Sequence, residues 1–135
     1  MRPAPAVLAS LLQNLRAFTP FSGMPDRDVE RLVAAAQLQY FAPDETILSP
    51  VAARPPYCWI ITRGAVQGER PNAAGVVVPA WEIAEGEMFP LGALLSNRGV
   101  TSVYRSVTDT FCLMLPATEF DALVATSTVF RDFCT

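Results

Sequence analysis

A succession of short β-favouring segments between Leu38 and Leu115 constrains the fold of this chain more than any other feature. Runs rich in β-branched and aromatic residues occupy positions 38–41, 46–48, 57–62 and 65–69, and turn residues separate each run from the next. We expect Gly64 to supply the positive φ of a tight connection and Gly75 to mark a looser hairpin. Short strands at this spacing are typical of an antiparallel sandwich or barrel.

Amphipathic helical patterns flank the strands on both sides. Leu8, Leu11 and Leu15 recur at helical spacing, and a second helix follows with Pro25 in its first turn. Phe120 and Leu123 form another helical stripe after the last strand. We predict one domain, mainly β with flanking α, that consists of an N-terminal helical segment (1–37), a β region (38–115) and a C-terminal helical segment (116–135).

The basic residues narrow the possible chemistry, because all ten are arginine and the sequence has no histidine. This excludes a Ser-His-Asp or Cys-His nucleophile, a histidine-bearing metal site and a Schiff-base lysine. Isolated carboxylates could still serve an enzyme on the same scaffold, yet they lack EF-hand spacing and solvation is their ordinary role; they are Glu69, Glu82, Glu85 and Glu87. We predict a chain that is not an enzyme and needs no cofactor or metal.

Charge and cysteine usage indicate the cellular setting. The net charge is -3 and the arginines are scattered singly, so no basic stripe is available for nucleic acid. Cys58, Cys112 and Cys134 form no CxxC motif and lie beside apolar residues, as reduced core thiols do. No apolar run approaches the ~18 residues of a membrane span, and the first residues lack a secretion signal. We predict a cytoplasmic chain with no nucleic-acid or membrane partner.

The order of the predicted elements resembles that of cyclic nucleotide-binding domains. Residues 15–25 resemble the leading Leu-x-x-x-x-Phe-x-Gly-Leu segment of that family, and Phe-Ala-Pro-Asp-Glu at 41–45 resembles its Phe-x-Pro-Gly-Glu turn. Residues 57–64 resemble its Leu-Tyr-hydrophobic-Gly strand. The resemblance implies an antiparallel β jelly roll (a double-stranded β-helix) with N-terminal and C-terminal helices.

Residues 89–105 fall where this family keeps its phosphate-binding cassette. The resemblance implies a short helix whose amides face the cyclic phosphate, a glutamate that accepts from the ribose hydroxyl, and an arginine that pairs with the phosphate. Here the cassette reads Phe-Pro-Leu-Gly-Ala-Leu-Leu, so Leu91 stands at the glutamate position and Val100 at the arginine position. Losing two charged hydrogen bonds of ~1.5–3 kcal/mol each weakens binding ~10²–10⁴-fold. We therefore predict a degenerate pocket that does not bind cAMP tightly.

The cassette retains backbone amides, two hydroxyls and one arginine as possible ligand-binding groups. The predicted ligand-binding residues are Phe89, Leu91, Gly92, Ala93, Leu94, Arg98, Val100, Thr101 and Ser102. Arg98 is either a phosphate ligand or a solvated loop residue. Two functions remain open: a regulatory domain with a degenerate pocket, and a working sensor that binds cAMP or another adenine nucleotide through backbone amides, Arg98 and Thr101.

The variant cassette and the tail at 129–134 are also similar to N-terminal sensor domains of bacterial signal-transduction proteins. Those proteins continue into a CBS domain pair and a predicted nucleotidyltransferase, so the resemblance implies downstream domains of a larger chain as partners and a truncated C-terminal segment. Phe130 and Phe133 predict an exposed apolar face that would support a homodimer through the C-terminal helix. We also expect the helices near 7–18 and 120–133 to pack together.

Overall fold

The computed structural model describes residues 4–135, so residues 1–3 of the predicted N-terminal segment lie outside the described part of the chain. In chain order, its elements are α1 (Pro5–Leu15), a 3₁₀ turn (Phe21–Gly23), α2 (Asp26–Ala35), β1 (Gln37–Phe41), β2 (Thr46–Leu48), β3 (Tyr57–Arg63), β4 (Val66–Pro71), β5 (Val77–Ile83), β6 (Met88–Phe89), α3 (Leu91–Leu95), β7 (Val103–Ser106), β8 (Thr110–Pro116), α4 (Ala117–Thr126) and α5 (Thr128–Cys134). The predicted class, mainly β with flanking helices, is confirmed.

The strands form two four-stranded antiparallel sheets. Their orders are β1-β8-β3-β6 and β2-β7-β4-β5. Apart from β4 and β5, which form a hairpin within one sheet, strands that follow one another in sequence lie in different sheets, which is the arrangement of a jelly roll. The sequence-based expectation of an antiparallel jelly roll is confirmed.

Strand β3 lies in the middle layer of a three-layer molecule, between the helices and the second sheet. Its central residues are buried on both faces, because Cys58 and Ile60 pack into one apolar cluster while Trp59 and Ile61 pack into another. The first cluster lies between the sheet of β3 and the helices, and the second lies between the two sheets. The uninterrupted apolar run at 58–61 is the sequence pattern of a strand covered on both sides.

The helices form the outer layer against the sheet of β3 and β8. Helix α1 packs on α2 and β3, α2 packs on α4 and β8, and α4 packs on α5. The contacts between the N-terminal and C-terminal helices therefore run mainly through α2, whereas we expected α1 to meet them directly. Helix α2 begins at Asp26, so Pro25 precedes its first turn as the N-cap residue.

The turn after β3 requires glycine at residue 64. Gly64 has φ +103°, and a Cβ atom there would lie 2.5 Å from the carbonyl oxygen of Asp109. A tight left-handed connection pressed against a neighbouring backbone excludes other side chains. This agrees with the tight connection predicted from sequence.

The C-terminal segment corrects one prediction. It forms two helices that break at Ser127, whose hydroxyl caps α5 by accepting from the backbone N–H of Phe130. Phe130 is fully buried and packs edge-on against Phe120, with ring centroids 5.6 Å apart. The prediction that Phe130 lies on an exposed face is wrong, because α5 folds back onto α4, and Phe133 remains 46% exposed.

Candidate functional site

Helix α3 lies at the junction of the two apolar clusters. It is five residues long and follows β6 through Pro90. Leu91 and Leu94 pack into the cluster beneath the helices, whereas Ala93 packs into the cluster between the sheets. The apolar residues of the cassette therefore anchor α3 on both sides, and Gly92 is left exposed.

A cavity of about 380 Å³ opens beside α3, between the loop that follows it and strands β4 and β7. It is bordered by Arg70, Pro90, Gly92, Ala93, Arg98, Gly99, Val100, Thr101, Ser102 and Tyr104. Its size is near the lower end of the range for small-molecule sites. The cavity can therefore take one small ligand.

Arg70 is held on the β4 wall of this cavity by two neighbours. Its guanidinium carbon lies 4.7 Å from the ring centroid of Trp81, which is a cation-π contact, and its Nε donates to Ser102 Oγ at 3.2 Å. Trp81 in turn lies flat against Gly68, where a Cβ atom would come within 2.1 Å of the ring. Within residues 4–135, no group accepts a hydrogen bond from the two terminal nitrogens of Arg70, so both can donate to a ligand.

Arg98 occupies another wall of the cavity. Its backbone N–H donates to the carbonyl oxygen of Ala93, so the residue is tied to α3. Its Nη2 lies 3.5 Å from the place where a Cβ atom of Gly92 would stand. The missing side chain at residue 92 therefore gives the guanidinium room to lie against α3.

The lining of the cavity is electropositive. The ion pairs of the described residues involve other arginines, namely Arg16, Arg31, Arg54 and Arg105. No carboxylate borders the cavity among residues 4–135. Burial raises the pKa of the Tyr104 phenol, and the positive charge of Arg70 opposes that shift. Arg70 and Arg98 are thus guanidinium groups without an acidic partner in the described part of the chain, as an anion site requires.

The structure brings most of the predicted ligand-binding residues to this cavity. Gly92, Ala93, Arg98, Val100, Thr101 and Ser102 border it. The other three, Phe89, Leu91 and Leu94, do not. Phe89 stacks between Trp59 and Tyr104 in the interior, with centroid distances of 5.7 and 4.9 Å.

The residues at the two positions where the family has charged ligands have different surroundings. We expected Leu91 to border the cavity, and this prediction is wrong, because Leu91 packs toward the helices. Val100 is 7% exposed at the cavity wall, and its backbone forms a pair of hydrogen bonds of 2.8 and 2.9 Å with Val51. Neither residue offers a polar side chain to a ligand.

Four residues that border the cavity were not predicted from the sequence, namely Arg70, Pro90, Gly99 and Tyr104. Arg70 is 28 residues before Arg98 in the chain, and the pairing of β4 with β7 brings it beside Ser102. The alternation of β4 predicts only that Gly68 and Arg70 lie on the same face of the strand, and it does not indicate which strand pairs with β4. Tyr104 pairs with Gly68 in that register.

Arg54 connects α3 to the C-terminal helices. Its Nε and Nη2 donate to the carbonyl oxygen of Leu94 at 3.3 and 2.8 Å. The same guanidinium forms a bidentate ion pair with Asp121 on α4, at 3.0 and 2.7 Å, and this hydrogen-bonded carboxylate raises the pKa of Arg54. Arg54 therefore satisfies a carbonyl that the end of α3 leaves unpaired and links it to α4.

Three of the four carboxylates considered for an enzyme have structural partners. Glu69 pairs with Arg105 at 3.2 Å, while Glu85 and Glu87 accept from the backbone N–H groups of Gly64 and Ala84. Among residues 4–135, no group of three or more His, Cys, Asp or Glu side chains is placed to hold a metal ion.

Two further observations concern the cysteines and the length of the helices. Cys58 and Cys112 are fully buried, and burial raises the pKa of the Cys112 thiol to about 12. None of the helices described between residues 4 and 135 has the length and apolar character needed to span a bilayer.

Comparisons with known proteins identify the fold through structure alone, since no protein-family model and no curated protein matches the sequence. A regulatory subunit of a cAMP-independent protein kinase A from Trypanosoma cruzi, bound to guanosine, superposes with TM-score 0.82 at 18% identity over 96% of this chain and 46% of its own. The regulatory domain of Toxoplasma gondii protein kinase A with cAMP gives 0.77 at 18% identity, over 89% and 45%.

A third similar structure is the sensor domain of the transcriptional regulator DNR from Pseudomonas aeruginosa, with TM-score 0.79 at 11% identity over 93% of this chain and 83% of its own. This chain thus spans less than half of the two kinase regulatory structures and most of the sensor domain. The chain has the fold of cyclic nucleotide-binding regulatory domains.

Proposed function

We propose that this chain is a ligand-sensing regulatory domain that binds a small anion between Arg70 and Arg98 and does not bind cAMP tightly. One observation carries the proposal: both guanidinium groups border the same open cavity and neither has a carboxylate partner within residues 4–135. Unpaired guanidinium groups at a concave surface bind phosphate or carboxylate groups through paired N–H donors.

Weak cAMP binding follows from the chemistry at the two cassette positions. Val100 cannot pair with a phosphate, and Leu91 offers no acceptor to a ribose hydroxyl. The cost of ~1.5–3 kcal/mol for each lost charged hydrogen bond changes a micromolar affinity to one near millimolar. Arg70 and Arg98 border the cavity from positions other than residue 100, where the family has its arginine. They would therefore favour a ligand of a different shape from cAMP.

The structural neighbours support a broad search for the ligand. One regulatory subunit with this fold is described as cAMP-independent and contains guanosine, and another contains cAMP. The same architecture therefore accommodates ligands with and without a phosphate. The class of ligand must therefore be inferred from the cavity of this chain, where the charged groups are Arg70 and Arg98.

Calorimetric titration with cAMP, cGMP, AMP, ATP and guanosine tests the proposal. We expect saturable binding of at least one anionic compound to the unmodified chain, and a loss of about tenfold or more in affinity in Arg70→Gln and Arg98→Gln variants. Arg27→Gln is the matched control, because Arg27 is exposed on α2 and does not border the cavity. Binding by none of the compounds, or equal binding by all variants, would contradict the proposal.

A working sensor for cAMP or another adenine nucleotide is the second candidate function. Arg98 and Thr101 favour it, since both border the cavity together with the exposed Gly92. The same titration separates the two candidates. Saturable binding of cAMP below ~100 µM, about -5.5 kcal/mol, would favour the second.

The wider setting of the domain is part of the proposal. We propose a non-enzymatic sensor in the cytoplasm of a bacterium, joined in a larger chain to downstream domains of the CBS and nucleotidyltransferase type. A homodimer through α5 belongs to the same proposal, because Val129 and Phe133 stand one helical turn apart and are 40% and 46% exposed.

A further inference from the structure

Two kinds of phosphate ester differ in the charge that they would bring to this cavity. A phosphomonoester carries about -1.5 to -2 charges at pH 7, because its second ionisation has a pKa near 6. A cyclic phosphodiester has no second ionisable oxygen and stays a monoanion. Arg70 and Arg98 bring two positive charges, and no carboxylate of the described residues borders the cavity to offset them.

We propose that this cavity selects small phosphate monoesters, such as a nucleoside or sugar 5′-phosphate, over cyclic phosphodiesters. The inference rests on the proposed function, since it specifies the anion that Arg70 and Arg98 bind. Matching a dianion to two guanidinium groups gives a larger electrostatic stabilisation than matching a monoanion, and the difference grows where water is partly excluded.

The geometry of the donors favours the same ligand. Arg70 is fixed on the β4 wall by Trp81 and Ser102, and its Nε is already used. Arg98 reaches the cavity from the loop after α3. A terminal phosphate has three non-bridging oxygens and can accept from both walls at once. A cyclic phosphate has two non-bridging oxygens, and its other two are fixed in the ring.

The surroundings lack the groups that would hold a cyclic nucleotide in the family's manner. Leu91 faces the helices, so no carboxylate stands ready for a ribose hydroxyl. Neither Glu69 on β4 nor Glu82 on the adjacent strand β5 is among the residues that line the cavity. Specificity therefore rests on the phosphate and less on the sugar.

Titration calorimetry of the whole chain with AMP and with cAMP tests this selection at pH 7.5 and pH 5.0. We expect AMP to bind about tenfold or more tightly than cAMP at pH 7.5, and the ratio to shrink at pH 5.0, where the monoester loses its second charge. The sequence has no histidine, so no histidine side chain changes charge over this interval. Ribose 5-phosphate and inorganic phosphate, titrated in parallel, separate recognition of the ester from recognition of the ion.

Substitutions at the two arginines test whether AMP binds in this cavity. Arg70→Gln and Arg98→Gln should each lower the affinity for AMP by about tenfold or more, and the Arg27→Gln control should not. Equal or tighter binding of cAMP overturns the selection and leaves the proposed anion site standing. Binding of AMP that survives both cavity substitutions overturns the assignment of the site, and no binding of any anion overturns this inference together with the proposed function.

Discussion

Arg70 shows how one side chain of the candidate site depends on a neighbouring glycine. The absence of a side chain at Gly68 allows the Trp81 ring to lie on the strand, and the ring then supports the guanidinium of Arg70. A cation-π contact and one hydrogen bond to Ser102 fix an arginine that has no ion-pair partner among the described residues. The position of the charge is therefore set by packing.

A Gly68→Ala substitution tests this dependence. The new Cβ would stand 2.1 Å from the Trp81 ring, so the ring must move, and overpacking of this kind costs about 1–3 kcal/mol. We expect a lower free energy of unfolding in denaturant titration, a changed tryptophan fluorescence and weaker anion binding. Gly23→Ala is the control, because its nearest neighbour would be at an ordinary 3.6 Å. Unchanged fluorescence and stability would show that Trp81 does not hold Arg70.

The residues of the site differ in how far the sequence could predict them. Arg98, Thr101 and Ser102 lie within one local segment, so their common location follows from the resemblance of that segment. Arg70 reaches the cavity only because β4 pairs with β7, and non-local strand pairing is not encoded in a local pattern. Leu91 was expected in the cavity because of its place in the motif, yet the rotation of α3 turns it toward the helices.

At the scale of elements, α3 is a short helix held from its C-terminal end. Arg54 donates twice to the carbonyl oxygen of Leu94 and is itself fixed by Asp121 on α4. A cation at the end of a helix also interacts favourably with the partial negative charge there. The cavity wall is thereby connected to the C-terminal helices through one side chain that is 22% exposed.

The Arg54→Gln substitution should loosen α3. Loss of charged hydrogen bonds of ~1.5–3 kcal/mol predicts a clear decrease in the free energy of unfolding and faster hydrogen exchange at 91–96. Arg31→Gln is the control, since Arg31 pairs with Glu119 on the same helix α4 but is 56% exposed, where solvent screening leaves an ion pair little effect on stability. Equal effects of the two substitutions on α3 exchange would contradict the role given to Arg54.

Elements were predicted better than their packing. The strands and the turn at Gly64 follow from local propensity and from the need for a positive φ. The break at Ser127 had a local signal as well, because serine is a favoured N-cap residue. The burial of Phe130 could not be predicted from the helical stripe, since the stripe does not say which neighbour α5 folds against.

At the scale of the whole molecule, the helices and the candidate cavity lie in different parts of a three-layer fold. The helices cover the outer face of the sheet that contains β3 and β8, whereas Arg70 and Tyr104 reach the cavity from the other sheet. The proposed homodimer through α5 would therefore leave the cavity open to a ligand.

The Phe133→Asp substitution tests the proposed homodimer. A charge in the centre of an apolar interface should convert a dimer to a monomer, measured as a halved mass in light scattering. Val76→Asp is the control, because Val76 is 57% exposed at the distant β4–β5 hairpin. A monomeric unmodified chain, or a dimer that survives the substitution at residue 133, would contradict the role of α5.

The position of a bound anion tests the central claim most directly. We expect heteronuclear NMR during a titration with AMP to show the largest shifts at the Arg70 and Arg98 Nε–H groups and at the amides of Gly92, Gly99 and Ser102, all of which border the cavity. Shifts confined to other surfaces, or none at millimolar AMP, would contradict the assignment of an anion site to these two arginines.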